Sequence, residues 1–216
     1  MGSEMCIRDS GNPSQNYRIP CLVTMNDGTL VAAADARWNS TADGGGNDTI
    51  VSRSADNGTT WNYTMANYYG DNGNEFNKAS TGFCDSELAT DGENLYMLSL
   101  FFPAGVAINS DSANKRPVAK DAFDSQDRLL LGQGTSTNYN YYLGEFDSTG
   151  FAHIYSSSGS TVSEYMVDQE FYIYKNGVKE GSIFYSDAAY QTVKTSFLFF
   201  RTSTNNGAKW SAPTLV

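Results

Sequence analysis

The chain has 216 residues, 40% of them hydrophobic and 13% aromatic, a globular composition long enough for one sizeable domain or two small ones. Its formal net charge is −10 and its pI is near 4.4, so its surface repels a phosphate backbone and no nucleic-acid partner is expected. No apolar run approaches the ~20 residues of a membrane-spanning helix, and three cysteines with one histidine give neither a disulfide framework nor a metal or triad signature.

The first ten residues, MGSEMCIRDS, fit nothing that follows and lack the apolar core of an export signal. Residues 1–10 read as a translated cloning or adaptor scar, with the natural N-terminus missing. From Gly11 onward, short strands alternate with turn signals. Ile19 to Met25 is an apolar run, Asn26-Asp27-Gly28 a hairpin turn, and Thr29 to Ala34 the returning strand. Thr49 to Arg53 is a third strand, and a fourth starts at Trp61. Leu95 to Phe102 is strand-like and largely apolar, after the turn Asp91-Gly92. No segment has a convincing helical period, so the chain is all-β.

Composition shifts near Asn109. Residues 110–127 are polar and charged and read as a linker, followed by a strand-rich stretch full of Tyr and Phe. Within it, FYIYKNGVKEGSIFY is the clearest hairpin in the chain, two strands about Asn176-Gly177. Residues 108–193 read as a small inserted β-domain, flanked by 11–107 and by 194–216. Another apolar strand runs from Thr195 to Phe200.

That strand leads into an internal repeat. SADNGTTW begins at Ser54, and STNNGAKW begins at Ser203. Both fit Ser-x-Asp-x-Gly-x-Thr-Trp, the second with Asn205 for Asp and Lys209 for Thr. The pattern describes a self-bonded turn: Asp56 or Asn205 caps backbone N–H groups of its own turn. Gly58 and Gly207 take a positive φ, and Trp61 and Trp210 pack the turn onto the next layer. Repeats of this kind mark blade-built propellers.

The ordered set Tyr17-Arg18-Ile19-Pro20, Ala34-Asp35-Ala36-Arg37, Asp43 and then the turn at Ser54 resembles the bacterial sialidases, or exo-α-neuraminidases. Their signature is an aromatic-Arg-Ile-Pro start followed by Asp-box turns, and the resemblance covers nearly everything after Gly11. It implies part of a six-bladed β-propeller carrying an inserted β-domain. It also implies hydrolysis of terminal α-linked sialic acid from glycoproteins, glycolipids or oligosaccharides, with no metal and no organic cofactor. Secretion or cell-surface display follows from where such substrates lie.

In this family three Arg side chains clamp the sugar carboxylate, because guanidinium is always charged and donates two parallel hydrogen bonds. On an acidic protein such a cluster is indispensable. By resemblance Arg18 is one of the three. Asp43, ahead of Gly44-Gly45-Gly46, matches the acid/base that protonates the leaving oxygen. Its neighbours Asp35 and Asp48 lie beside strands and are expected to bond backbone instead. Arg37 and Asp85 match positions around the sugar's O4, although the family often has Asp-Pro where this chain has Asp85-Ser86. A structural Arg–Asp pair is the competing account of those two. Ser54, Asp56, Gly58, Trp61, Ser203, Asn205, Gly207 and Trp210 belong to turn stability.

Sialidases use Tyr rather than a carboxylate as nucleophile, which avoids repulsion by the carboxylate already on the anomeric carbon. In the family that Tyr, its Glu and two more clamp Arg lie beyond the second Asp box, so residues 1–216 alone are expected to be inactive. Tyr139, Tyr141 and Tyr142 serve as core or sugar-stacking groups. The other readings are a non-catalytic sialic-acid or carbohydrate-binding propeller, and a purely structural one.

Overall fold

The computed structural model describes residues 14, 16–38, 43, 46–69, 81–106, 117–118 and 120–216; the segment read as a scar lies outside them. The strands in chain order are β1 Asn16–Thr24, β2 Leu30–Arg37, β3 Asn47–Ser54, β4 Asn62–Asn67, β5 Gly82–Thr90, β6 Leu95–Phe102, β7 Leu130–Gln133 and β8 Tyr141–Leu143. They continue as β9 Phe151–Ser156, β10 Thr161–Asp168, β11 Tyr172–Lys175, β12 Val178–Ser182, β13 Tyr190–Thr192, β14 Phe197–Ser203 and β15 Thr214–Leu215. There is no helix among the described residues, hence none long and apolar enough to cross a membrane. The chain packs as two compact units, one from 1–101 with 197–216 and one from 102–196.

The first unit holds one sheet made of two four-stranded halves. β1 to β4 form an antiparallel meander. β5, β6, β14 and β15 form the second half, with β14 antiparallel to both β6 and β15. Among the described residues, a single parallel pair, Asn47 with Gly82, joins the halves. The turn Asn26-Asp27-Gly28 closes the β1–β2 hairpin, with Gly28 at φ 85° and a Gly28 N–H to Met25 C=O bond.

β2 reads LVAAADAR and is buried almost throughout. Small side chains suit a central strand covered on both faces. On one face Val31 and Ala33 join Met25, Val51, Ala66, Leu95 and Met97 in a core that Trp210 edges. On the other, Ala34 and Ala36 pack with Ile50, beside Tyr17, Trp38, Tyr63 and Met65. A second cluster is aromatic: Phe83, Phe101, Phe199 and Tyr69 have ring centroids 4.5–6.3 Å apart. Each such ring or aliphatic side chain contributes about 1.5–3 kcal/mol on burial.

Both repeat turns join the third and fourth strands of their half. Ser54 Oγ donates to Asp56 Oδ1 at 2.7 Å and accepts the Gly58 N–H at 2.8 Å, and Asp56 accepts from Thr60 through backbone and hydroxyl. In the second copy Ser203 donates to Asn205 at 2.9 Å, and the Gly207 and Lys209 N–H groups are accepted in the same way. Gly58 and Gly207 have φ of 84° and 78°.

The second unit is a seven-stranded antiparallel sheet in the order β12-β11-β10-β9-β8-β7-β13. Asn176 and Gly177, at φ 47° and 81°, make the primed turn between β11 and β12. Leu131, Ala152, Ile154, Val167, Ile173 and Ile183 are fully buried. Tyr141 packs edge-on against Tyr190. Tyr142 is stacked on Tyr155 and carries the Arg128 guanidinium 3.8 Å from its ring centre. Packing therefore occupies these two tyrosines.

Candidate active site

The β2–β3 register places Leu30 opposite Ser54 at one end and Arg37 opposite Asn47 at the other. The Asp box therefore sits at one end of the strands. The other end collects the charged residues, in a graded way. Along one face of β2, alternate positions run Val31, Ala33, Asp35, Arg37, from hydrophobic core to buried charge. Arg18 on β1 lies directly across from Asp35, and the 38–46 connection returns Asp43 over the same end.

Arg37 is the hub. Its side chain is fully buried, one terminal nitrogen donating to Asp35 Oδ2 at 2.7 Å and the other to Asp43 Oδ1 at 2.6 Å. Arg18 donates to the same Asp43 oxygen at 3.3 Å, and both of those side chains reach solvent, at 45% and 36% exposure. A half-open carboxylate shared by two guanidinium groups thus forms the mouth of the site. Asp43, Arg18 and Arg37 come together.

Asp85 stands apart from that triad. It is exposed on β5, and its backbone N–H donates to Asp35 Oδ1 at 3.1 Å. The expected alternative, an Arg37–Asp85 structural pair, gives way to a different one: the buried partner of Arg37 is Asp35. Asp35 therefore does more than bond backbone. It serves one backbone N–H and one guanidinium from a side chain with no solvent exposure. Burial pushes its carboxyl up to about 6, against the pull of Arg37. Asp48 accepts from the Trp38 indole N–H.

Two strained residues shape the site. Ile19 and Asp85 have φ of 53° and are the non-glycine residues of the first unit that hold the left-handed conformation within strands, among the described residues. Such a conformation costs about 1–3 kcal/mol per residue and collects at functional sites. Ile19 sits in a register shift between Arg18 and Cys21, a bulge that re-aims Arg18. Cys84, beside Asp85, is buried and its thiol is pushed up to about 11, so it stays protonated.

The sequence reading missed Asp35 as a link, although Asp-x-Arg on a strand puts both side chains on one face. It also missed β5. Among the described residues, no three His, Cys, Asp or Glu side chains converge as a metal site would need.

No protein-family model matches the chain. Among curated proteins it is 24% identical to the anhydrosialidase of Macrobdella decora over 92% of its length, and 24% identical to sialidase B of Streptococcus pneumoniae over 94%. It spans about a third of those relatives, 31% and 34%. Among solved structures, the intramolecular trans-sialidase of Ruminococcus gnavus superposes with a TM-score of 0.75 at 24% identity, covering 94% of this chain and 49% of that one. The proteins this chain matches over most of its length are sialidases, and its two four-stranded halves are part of the β-propeller fold that they share.

Proposed function

We propose that the protein carrying this chain is an exo-α-sialidase, which cleaves terminal α-linked sialic acid from glycoconjugates with retention through a tyrosine nucleophile. The observation that carries this reading is the meeting of Arg18, Arg37 and Asp43 at one end of the sheet. Arg18, half open to solvent, binds the sugar carboxylate, for which a guanidinium is the best-matched group. Asp43 is the acid/base. Two guanidinium groups donate to it here, and the incoming substrate carboxylate competes with it for Arg18. That exchange frees Asp43 to carry a proton to the leaving oxygen. Arg37 and the exposed carboxylate of Asp85 line the pocket beside it.

The nucleophilic tyrosine, its activating glutamate and two further arginines are assigned to no residue of this chain, so residues 1–216 alone are expected not to turn over. Residues 108–193, which fall within the compact unit 102–196, are proposed as a domain inserted into a propeller blade, and secretion or surface display fits a substrate outside the cell.

The test is to express the whole reading frame that carries this chain and assay it on sialyllactose, resolving free from anhydro sialic acid. Asp43→Ala is expected to lower kcat/KM by about 10²–10⁴-fold. Unchanged turnover in that variant removes Asp43 from the mechanism. Binding of sialosides without turnover by the unmodified protein replaces the enzyme reading with a binding module.

A further inference from the structure

We infer that Asp35, which would never touch the sugar, is the positioning residue of this site, fixing the Arg37 fork and the backbone of Asp85 through one buried carboxylate. The inference rests on the sialidase reading for its catalytic consequence, and on geometry for the positioning itself.

One carboxylate has two oxygens, and each is committed. Oδ2 takes Arg37 at 2.7 Å and Oδ1 takes the Asp85 N–H at 3.1 Å. The first bond matters because Arg37 is divided between two acids. Its guanidinium offers one nitrogen to Asp35 and one to Asp43, so Asp35 sets how firmly Arg37 holds Asp43. The second bond matters because Asp85 adopts φ 53°, a conformation that persists only where surroundings impose it. A buried anion facing its N–H imposes it, and the Asp85 side chain then stands outward, exposed. Strand spacing delivers both: Asp35 and Arg37 share a face of β2, and β5 passes the same end of the sheet.

The charged and titratable groups around Asp35 are Arg37 on its own strand, Arg18 opposite on β1, Asp43 in the 38–46 connection, Asp48 on β3, and Cys84 and Asp85 on β5. Removing the Asp35 charge leaves Arg37 to act on Asp43 undivided. Asp43 is then held as carboxylate up to a greater proton concentration, and a general acid must be protonated to work.

The experiment compares Asp35→Asn and Asp35→Ala in the whole protein. Asp35→Asn keeps the shape and one acceptor, which can still serve the Asp85 N–H, but its amide nitrogen donates, so the charge and the bond from Arg37 are lost. It is expected to lower kcat by about tenfold at pH 7 with KM within about threefold, and to move the alkaline limb of the rate profile to lower pH. Because burial keeps the Asp35 carboxyl protonated below about 6, the variant and the parent should converge at acid pH. Asp35→Ala also releases Asp85 and should raise KM by about fivefold more. A merely structural role predicts lower stability with an unmoved pH profile and unchanged kcat and KM per folded molecule, which overturns the inference. If the parent protein neither cleaves nor binds sialosides, the sialidase reading fails. The crystal structure of Asp35→Asn or Asp35→Ala then decides the positioning alone. It stands if Arg37 shifts on Asp43 or Asp85 relaxes to negative φ, and it falls if both are unchanged.

Discussion

In the first half of the first unit, the second and third strands are joined by residues 38–46, which carry Asp43. In the second half the same connection, from β6 to β14, is the whole of 103–196. At the opposite end of the strands the two halves agree: each closes its third and fourth strands with the same self-bonded turn. One end of the sheet repeats and the other end varies. Chemistry placed on the varying end can change without disturbing the repeated scaffold, which is how a fold takes on a function.

The halves share only one backbone bridge among the described residues, the parallel pair of Asn47 and Gly82. A buried polar network does more to join them. Asn67, on β4, donates to Ser99 on β6 at 2.8 Å and to Thr49 on β3 at 3.2 Å, and accepts from Arg201 on β14 at 2.8 Å. Ser86 on β5 completes it through Thr49 and Ser99. Asn67→Ala removes the acceptor of the Arg201 Nε–H together with the bonds to Thr49 and Ser99, while Arg201 keeps its bond to the Ser211 carbonyl, and should cost about 4 kcal/mol. All three tryptophans, Trp38, Trp61 and Trp210, lie in this unit, so tryptophan fluorescence in urea reads it selectively. A loss under about 1 kcal/mol would mean that the apolar core alone holds the halves together.

The two turns differ in what lies behind them. A Cβ on Gly58 would meet nothing closer than 3.8 Å, whereas a Cβ on Gly207 would approach Val51 at 3.2 Å and Val31 and Leu95 at 3.4 Å. Both positions need the left-handed conformation, which costs an alanine about 1–2 kcal/mol. Gly207→Ala adds crowding against the core and should lose about 3 kcal/mol, against about 1 for Gly58→Ala. Equal losses would show that Val31, Val51 and Leu95 yield freely. The second turn, degenerate in sequence, is thus the better packed of the two.

Much of this was legible in the sequence. The hairpin at Asn26-Asp27-Gly28, the strand Leu95 to Phe102, the Asn176-Gly177 turn and both Asp boxes carry short-range chemistry that the residues state directly. β5 was not legible. GFCDSELAT gives one face to buried polar partners, with Ser86 in the network and Cys84 bonded by Asn47, so the strand lacks the apolar alternation that announces one. Asp35 was underread for a related reason. Its importance lies in Asp85, fifty positions away, and in a guanidinium whose second bond goes elsewhere. No local pattern encodes which of two acids an arginine faces.

The smallest effect separates the turns by charge. Asp56 takes hydrogen bonds from the Thr60 hydroxyl and N–H and from Ser54, which hold its carboxyl down at about 2, below its ordinary 3.8. A carboxylate depressed in the folded state adds stability above its unfolded pKa, and that stability drains away as pH falls through the folded value. The first turn therefore weakens between about pH 4 and 2. Asn205 carries no charge, so the second turn ignores that window. Other depressed acids, such as Asp27 and Asp91, are common to every variant and cancel in the comparison. Asp56→Asn should flatten the acid limb of unfolding stability read by tryptophan fluorescence, and Asn205→Asp should steepen it. Identical slopes in all three proteins would mean that the turn bonds to Asp56 are replaced by water at no cost, leaving Ser54, Gly58 and the backbone to hold the turn.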